Sequence, residues 1–179
     1  MMELSGRQTA RGAGAAVVGV GNIIMKDEGV GIYAVRALRD GAGPRGAQYL
    51  EAGTALWRVL PEVKECDRLV VVDAMSTGEE PGTVCCAEIR QAKLEAGQSS
   101  LHNVSLRSAL AHEEMQGNSF ESVTVVGMEP AEVSAGLGLS QVCAKKLNKL
   151  LAAAARVIRR PRAEISHIPE RANHAGYRA

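Results

Sequence analysis

The run DRLVVVDAM, residues 67–75, limits the fold more than any other stretch of the chain. Leu69, Val70, Val71 and Val72 are apolar at consecutive positions, so both faces of an extended segment must be covered. Such a strand belongs inside a sheet with helices on each side. Similar strands follow from GAAVVGVG, which ends at Gly21, from AQYLEAG (47–53), TVCCAEI (83–89) and ESVTVVGMEP (121–130), the last stopped by Pro130. Helical spacing fills the intervals. Val30, Ala34, Ala37 and Leu38 share one face of a helix that ends near DGAGPRG. Leu56, Val59, Leu60 and Val63 share another within 54–65, which Pro61 should kink or split. A third helix begins near Ser99 and Ser100, whose hydroxyls can cap it, and runs to about residue 114. The last spans 139–160, with Ser140 as N-cap and Cys143, Leu147, Leu150, Ala154 and Val157 inward.

The order β-α-β-α-β-β-α-β-α predicts an α/β fold: a three-layer α/β/α sandwich around a five-stranded, mostly parallel sheet. STGEEPG, after the third strand, is a turn and leaves no room for a crossover helix, so one strand is antiparallel. With 179 residues and 46% hydrophobic content, the chain suits a single domain over 14–160. Residues 1–13 read as a disordered lead and 161–179 as a flexible tail.

Composition excludes several partners. A formal charge of +1 gives no field for nucleic acid, and 3% aromatics gives few stacking platforms. No apolar run is long enough to span a membrane, and the N-terminus lacks the apolar core of a signal peptide. Cys66, Cys85, Cys86 and Cys143 form no CxxC, and the adjacent pair points to opposite faces of a strand, which reads as core packing. Reduced thiols in a cytoplasmic protein are the expectation.

Strand, Gly19, Gly21 and helix resemble a dinucleotide turn, but Ile24 stands where the third glycine belongs. Asp27 and Glu28 line the mouth, and a carboxylate about 4 Å from a phosphate charge costs roughly 4 kcal/mol at an effective dielectric near 20. The same carboxylates attract a cation. In an open parallel sheet, ligands bind beyond the carboxyl ends of the strands, where Asp27, Glu28 and Asp73 fall together. His102, in SLHNVSL, begins the helix after the fourth strand and can reach that edge. Two carboxylates with an imidazole suit nickel or zinc better than magnesium and leave coordination positions open. Each residue also has a plainer reading: Asp73 as a turn cap, Glu28 as a first-turn acid facing a helix dipole, His102 as a surface histidine.

GVGNIIMKDEGVG, LVVVDAMSTGEEPGTV, SLHNVSL and VTVVGMEP resemble, in order and spacing, the hydrogenase maturation endopeptidases, over roughly residues 15–155. The resemblance implies a cytoplasmic protease that removes a C-terminal extension from the large-subunit precursor of a nickel–iron hydrogenase. It implies that Glu28, Asp73 and His102 bind nickel supplied by that substrate, not held permanently. EAGT, residues 51–54, departs from the family's usual Asp-Gly-Gly-Thr. If that loop grips the substrate, Glu51, Gly53 and Thr54 touch it; Glu51 equally suits a fold-supporting role. Asn22 is expected to brace the first turn through its side chain.

No GxSxG or HExxH is present, so a metal-polarised carbonyl or metal-activated water is the favoured route, with Asp27 or Asp73 as acid–base candidates. A monomer is expected. Two other classes remain open, a non-catalytic factor that reads the nickel site and a zinc-dependent hydrolase of small molecules.

Overall fold

The computed structural model describes residues 14–64, 66–89 and 101–160, with the side chains of 101–105 outside the described set. The expected lead (1–13) and tail (161–179) lie outside the described residues. The elements are β1 (Gly14–Val20), α1 (Val30–Ala37), β2 (Gln48–Gly53), α2 (Leu56–Val59), β3 (Cys66–Ala74), β4 (Val84–Ile89), α3 (Leu101–Met115), β5 (Ser122–Met128) and α4 (Gln141–Arg159).

The strands form one sheet in the order β2-β1-β3-β5-β4. The pairs β1/β2, β1/β3 and β3/β5 are parallel, and β4 alone runs antiparallel, against β5. The strand expected to reverse does so, but β5 inserts between it and β3. Consecutive valines explain the layering. Val17, Val70, Val72 and Val126 face the side covered by α1 and α4, where Leu38, Cys143 and Leu150 are buried. Val18, Leu69, Val71 and Val125 face the other side, against Leu56 and Leu60 of the α2 segment and Leu106 and Leu110 of α3. Fully burying each such side chain contributes about 1.5–3 kcal/mol, which only a doubly covered sheet provides for both faces of a strand.

Helix ends follow local chemistry. Ser140 caps α4, its hydroxyl accepting from the Cys143 N–H at 3.2 Å, as expected. At the other end, the Arg68 guanidinium donates to the Ile158 and Arg160 carbonyls, supplying partners that the last helical turn lacks. Pro61 does split its helix: α2 is a single turn, and a 3₁₀ turn follows over Leu60–Glu62. The helix α1 closes in a wider turn over Leu38–Ala42, with Gly41 at φ 130°.

The mid-strand cysteines differ from the core packing expected of them. Cys85 is half-buried against the Met75 sulfur at 3.8 Å, but Cys86 is exposed, because β4 is an edge strand. All four cysteines lie among the described residues and none is in a disulfide. No helix among the described residues is long and apolar enough to cross a membrane.

Candidate active site at the carboxyl edge of the sheet

The first motif, GVGNIIMKDEGVG, is built around contacts between glycines. A Cβ on Gly19 would lie 2.5 Å from the Gly31 carbonyl oxygen, and one on Gly31 would lie 2.1 Å from the Val72 oxygen. A Cβ on Gly21, which sits at φ 125°, would fall 1.8 Å from the Glu28 oxygen. The helix start therefore presses onto the ends of β1 and β3 with backbone touching backbone. The acidic turn, a 3₁₀ turn over Lys26–Gly29, sits directly on the strand ends. Within it, the Asn22 side chain accepts from the Ile24 N–H at 3.2 Å, bracing the turn as expected.

Asp27 and Glu28, neighbours in sequence, take different places. Asp27 has no solvent exposure. Its Oδ2 accepts from the Ala131 and Glu132 N–H groups at 3.0 and 2.9 Å, and its Oδ1 from the Ser140 N–H at 2.7 Å. Burial alone would push its pKa up, but the bonds from Ser140 and Glu132 outweigh it and hold the carboxyl below the ordinary aspartate range. Three backbone donors occupy this carboxylate, so its place is that of a brace between the β1–α1 and β5–α4 loops. Glu28 lies one residue on, half-buried in the same turn.

Asp73 is the penultimate residue of β3 and is nearly buried, with Oδ1 accepting from the Ala74 N–H at 2.8 Å. By strand alternation its side chain leaves the sheet on the same face as Val71, the face that α3 covers. The helix α3 ends beside the amino edge, since Glu121 bonds to Asp67 at the start of β3, and its 15 residues span about 22 Å back toward the carboxyl edge. His102 is therefore in the turn of α3 nearest that edge; its side chain lies outside the described residues. Among the described residues no three metal-ligating side chains converge, so the structure brings together the backbone positions of Glu28 and Asp73 and leaves the histidine's contribution to its topology.

The substrate-binding candidates occupy the next turn along. Glu51 lies where β2 bulges against β1, between Gly19 and Val20. Arg36 grips its Oε2 at 2.8 and 3.0 Å, and Arg39 its Oε1 at 3.0 Å. The Arg36 hydrogen bonds hold its carboxyl below the usual glutamate range. These bonds tie the β2 end to α1 and the turn that follows it. Gly53, at φ 57°, and exposed Thr54 follow at the rim, and Gly53 ties the two turns by accepting from the Gly21 N–H at 2.9 Å.

Glu129 went unnoticed in the sequence. It is buried, and its carboxylate accepts from the Thr77 N–H and hydroxyl at 2.5 and 2.7 Å, holding the loop that follows Asp73. The available signal was an acid between a buried strand and Pro130, where no solvated turn begins.

Fold and edge together define a class, an α/β/α domain with a carboxylate-bearing turn seated on its strand ends. The profile of the HycI hydrogenase maturation protease family matches residues 32–157, and the chain belongs to that family. It is similar to the hydrogenase 2 maturation protease of Escherichia coli, 30% identical over 127 residues, which cover 69% of this chain and 77% of that one. It is also similar to the hydrogenase expression/formation protein HupD of Thiocapsa roseopersicina, 34% identical over 65% of this chain and 54% of HupD, about half that protein's length. Among solved structures, the E. coli hydrogenase maturating endopeptidase HybD superimposes with a TM-score of 0.70 at 26% identity, covering 81% of this chain and 91% of HybD.

Proposed function

We propose that this chain is the cytoplasmic endopeptidase that removes the C-terminal extension of a nickel–iron hydrogenase large-subunit precursor after nickel has been installed. It reads the metal through Glu28, Asp73 and His102. The observation that carries the reading is the seat of the acidic turn. Gly31 rests against the Val72 carbonyl, so Glu28, three residues before Gly31, and Asp73, one after Val72, meet at one strand edge. Family membership supports the protease activity.

The nickel is substrate, arriving in the precursor. Carboxylate oxygens with one imidazole are donors that nickel accepts, and contributed from separate loops without a thiolate they hold it loosely enough to release. Nickel close to the scissile bond polarises its carbonyl or acidifies a water. The water oxygen adds to the carbonyl carbon, the C–N bond breaks, and the leaving amine takes a proton. In this reading Asp73 takes the proton from the attacking water and passes it to the leaving amine, the role of the aspartate in an aspartate-dependent peptidase. Gly53 and Thr54 line the rim along which the C-terminal segment lies. Asp27 takes no part in this step, since its lone pairs already serve the loop behind it.

The test uses the full chain with nickel-loaded and nickel-free precursor, following the loss of extension mass by mass spectrometry. Cleavage of the loaded form alone is expected, and Asp73→Asn should lower its rate at least about a hundredfold while the circular dichroism is unchanged. Equal cleavage of both forms would overturn the reading of nickel, and cleavage of neither would overturn the peptidase assignment.

A further inference from the structure

Among the described residues the large exposed apolar side chains are Ile24, Trp57, Met115, Val133, Leu137 and Val142. Four of them belong to one unit. Ile24 lies in the β1–α1 loop, Val133 and Leu137 in the β5–α4 loop, and Val142 in the first turn of α4. The two loops are joined by backbone bonds, Gly136 N–H to the Ile24 oxygen at 2.9 Å and Lys26 N–H to the Gly136 oxygen at 3.0 Å. Beneath them is the Asp27 carboxylate with its three backbone bonds. A loop fixed this firmly, with Leu137 77% exposed and Ile24 58% exposed, holds apolar side chains outward at a cost in hydration that the isolated chain does not recover.

Charge indicates the occupant. The unit's basic side chain, Lys26, is already paired: its Nζ binds Glu132 at 2.5 Å, and Ser134 donates to the same oxygen at 2.9 Å. The apolar patch therefore borders carboxylates, Asp27 beneath it and Glu28 one residue further along the chain. An apolar surface bordered by carboxylates complements a protein surface that carries a bound cation. We propose that Ile24, Val133, Leu137 and Val142 form the surface on which the folded body of the nickel-bearing precursor docks, with Asp27 as its positioning residue. This rests on the reading of the nickel-loaded precursor as substrate. Docking there would bring the metal toward Glu28 and Asp73 before the C-terminal segment is engaged.

The experiment measures binding of nickel-loaded precursor by calorimetry and cleavage under steady-state conditions, for the wild-type chain, Leu137→Glu, Ile24→Ser and Met115→Glu. Met115 is 87% exposed at the far end of α3 and serves as control. Expected is a rise in Kd and KM of about tenfold or more for Leu137→Glu, a smaller rise for Ile24→Ser, kcat within about twofold, and no change for Met115→Glu. Unchanged Kd and KM in Leu137→Glu would overturn the proposal while leaving the proposed activity standing. So would wild-type self-association abolished by Leu137→Glu without a change in KM, which would assign the patch to a second copy of the chain. A wild-type protein that binds the precursor without cutting it would remove the peptidase reading alone, and the docking surface would then be decided by the Kd values. Absence of wild-type binding would overturn both.

Discussion

The turns after β1 and β2 leave adjacent parallel strands at the same edge and are joined by the Gly21–Gly53 hydrogen bond, yet they use glycine for opposite reasons. In the first, glycine answers crowding: Gly19, Gly21 and Gly31 meet backbone atoms at distances that no Cβ tolerates. In the second, Gly53 has open space around it and is needed only for its left-handed backbone. The first turn packs its backbone directly on the strand ends and ties Asp27 by three backbone bonds. The second is tethered from the side, through Glu51 to Arg36 and Arg39, and its tip is open to what arrives. Rigidity where a metal is read and openness where a peptide is gripped are what the proposed reaction requires. The contrast also explains why EAGT is tolerated in place of Asp-Gly-Gly-Thr. Ala52 is buried where its methyl fits, and Gly53 keeps the one position that requires a positive φ.

The largest expected effect strikes the crowded turn. Gly21→Ala puts a methyl 1.8 Å from the Glu28 oxygen at a φ of 125°, so the turn must be rebuilt. We expect a loss of about 3 kcal/mol or more, read as a lower urea midpoint with the denaturant slope unchanged, and loss of processing with it. A variant of near wild-type stability would remove the distinction between the two turns.

Next in size is Asp27→Asn. The amide retains one acceptor oxygen and turns an NH₂ toward backbone N–H groups, leaving buried donors unsatisfied at about 2 kcal/mol. Because the folded pKa of Asp27 is depressed, its carboxylate contributes fully above the unfolded value of about 3.9, and that contribution is lost as pH falls through the folded value. The stability gap between wild type and variant should therefore be widest at neutral pH and narrow below about pH 4. A gap that is constant with pH would show that the ionised form of Asp27 is not what braces the loop.

Much of this was legible in the sequence because burial on both faces writes itself as consecutive apolar residues. Leu69–Val72 places β3 in the sheet centre with its neighbours on each side, and Ser140 and Pro61 mark a helix start and a helix break by purely local chemistry. The edge position of Asp73 followed from topology. The different burial of Asp27 and Glu28 did not, since a 3₁₀ turn gives adjacent side chains no fixed inward phase. The partners of Asp27 lie more than a hundred residues away. Arg36 and Arg39 reach Glu51 across a strand–helix crossover, and Glu129 reaches Thr77 across the sheet edge. Long-range polar pairs of this kind leave no periodic trace.

The smallest effect should come from Gly53→Ala. Its added methyl meets nothing within 4 Å, so only the left-handed backbone opposes it, at about 1 kcal/mol, or roughly 2–4 °C in Tm for a chain of this length. Gly53→Asn should cost less, because asparagine enters that region more readily. A Gly53→Ala loss as large as that of Gly21→Ala would mean that the second turn is as crowded as the first. The same variant sharpens the functional half of the contrast. The space beside Gly53 is proposed to receive the precursor's C-terminal segment, so a methyl there should raise KM for cleavage by more than the change in Tm accounts for. Asparagine, with a longer side chain in the same space, should raise KM further although it destabilises less. Opposite rank orders in Tm and KM would separate the backbone requirement of this glycine from the space it leaves for substrate, and matching rank orders would remove Gly53 from the binding rim.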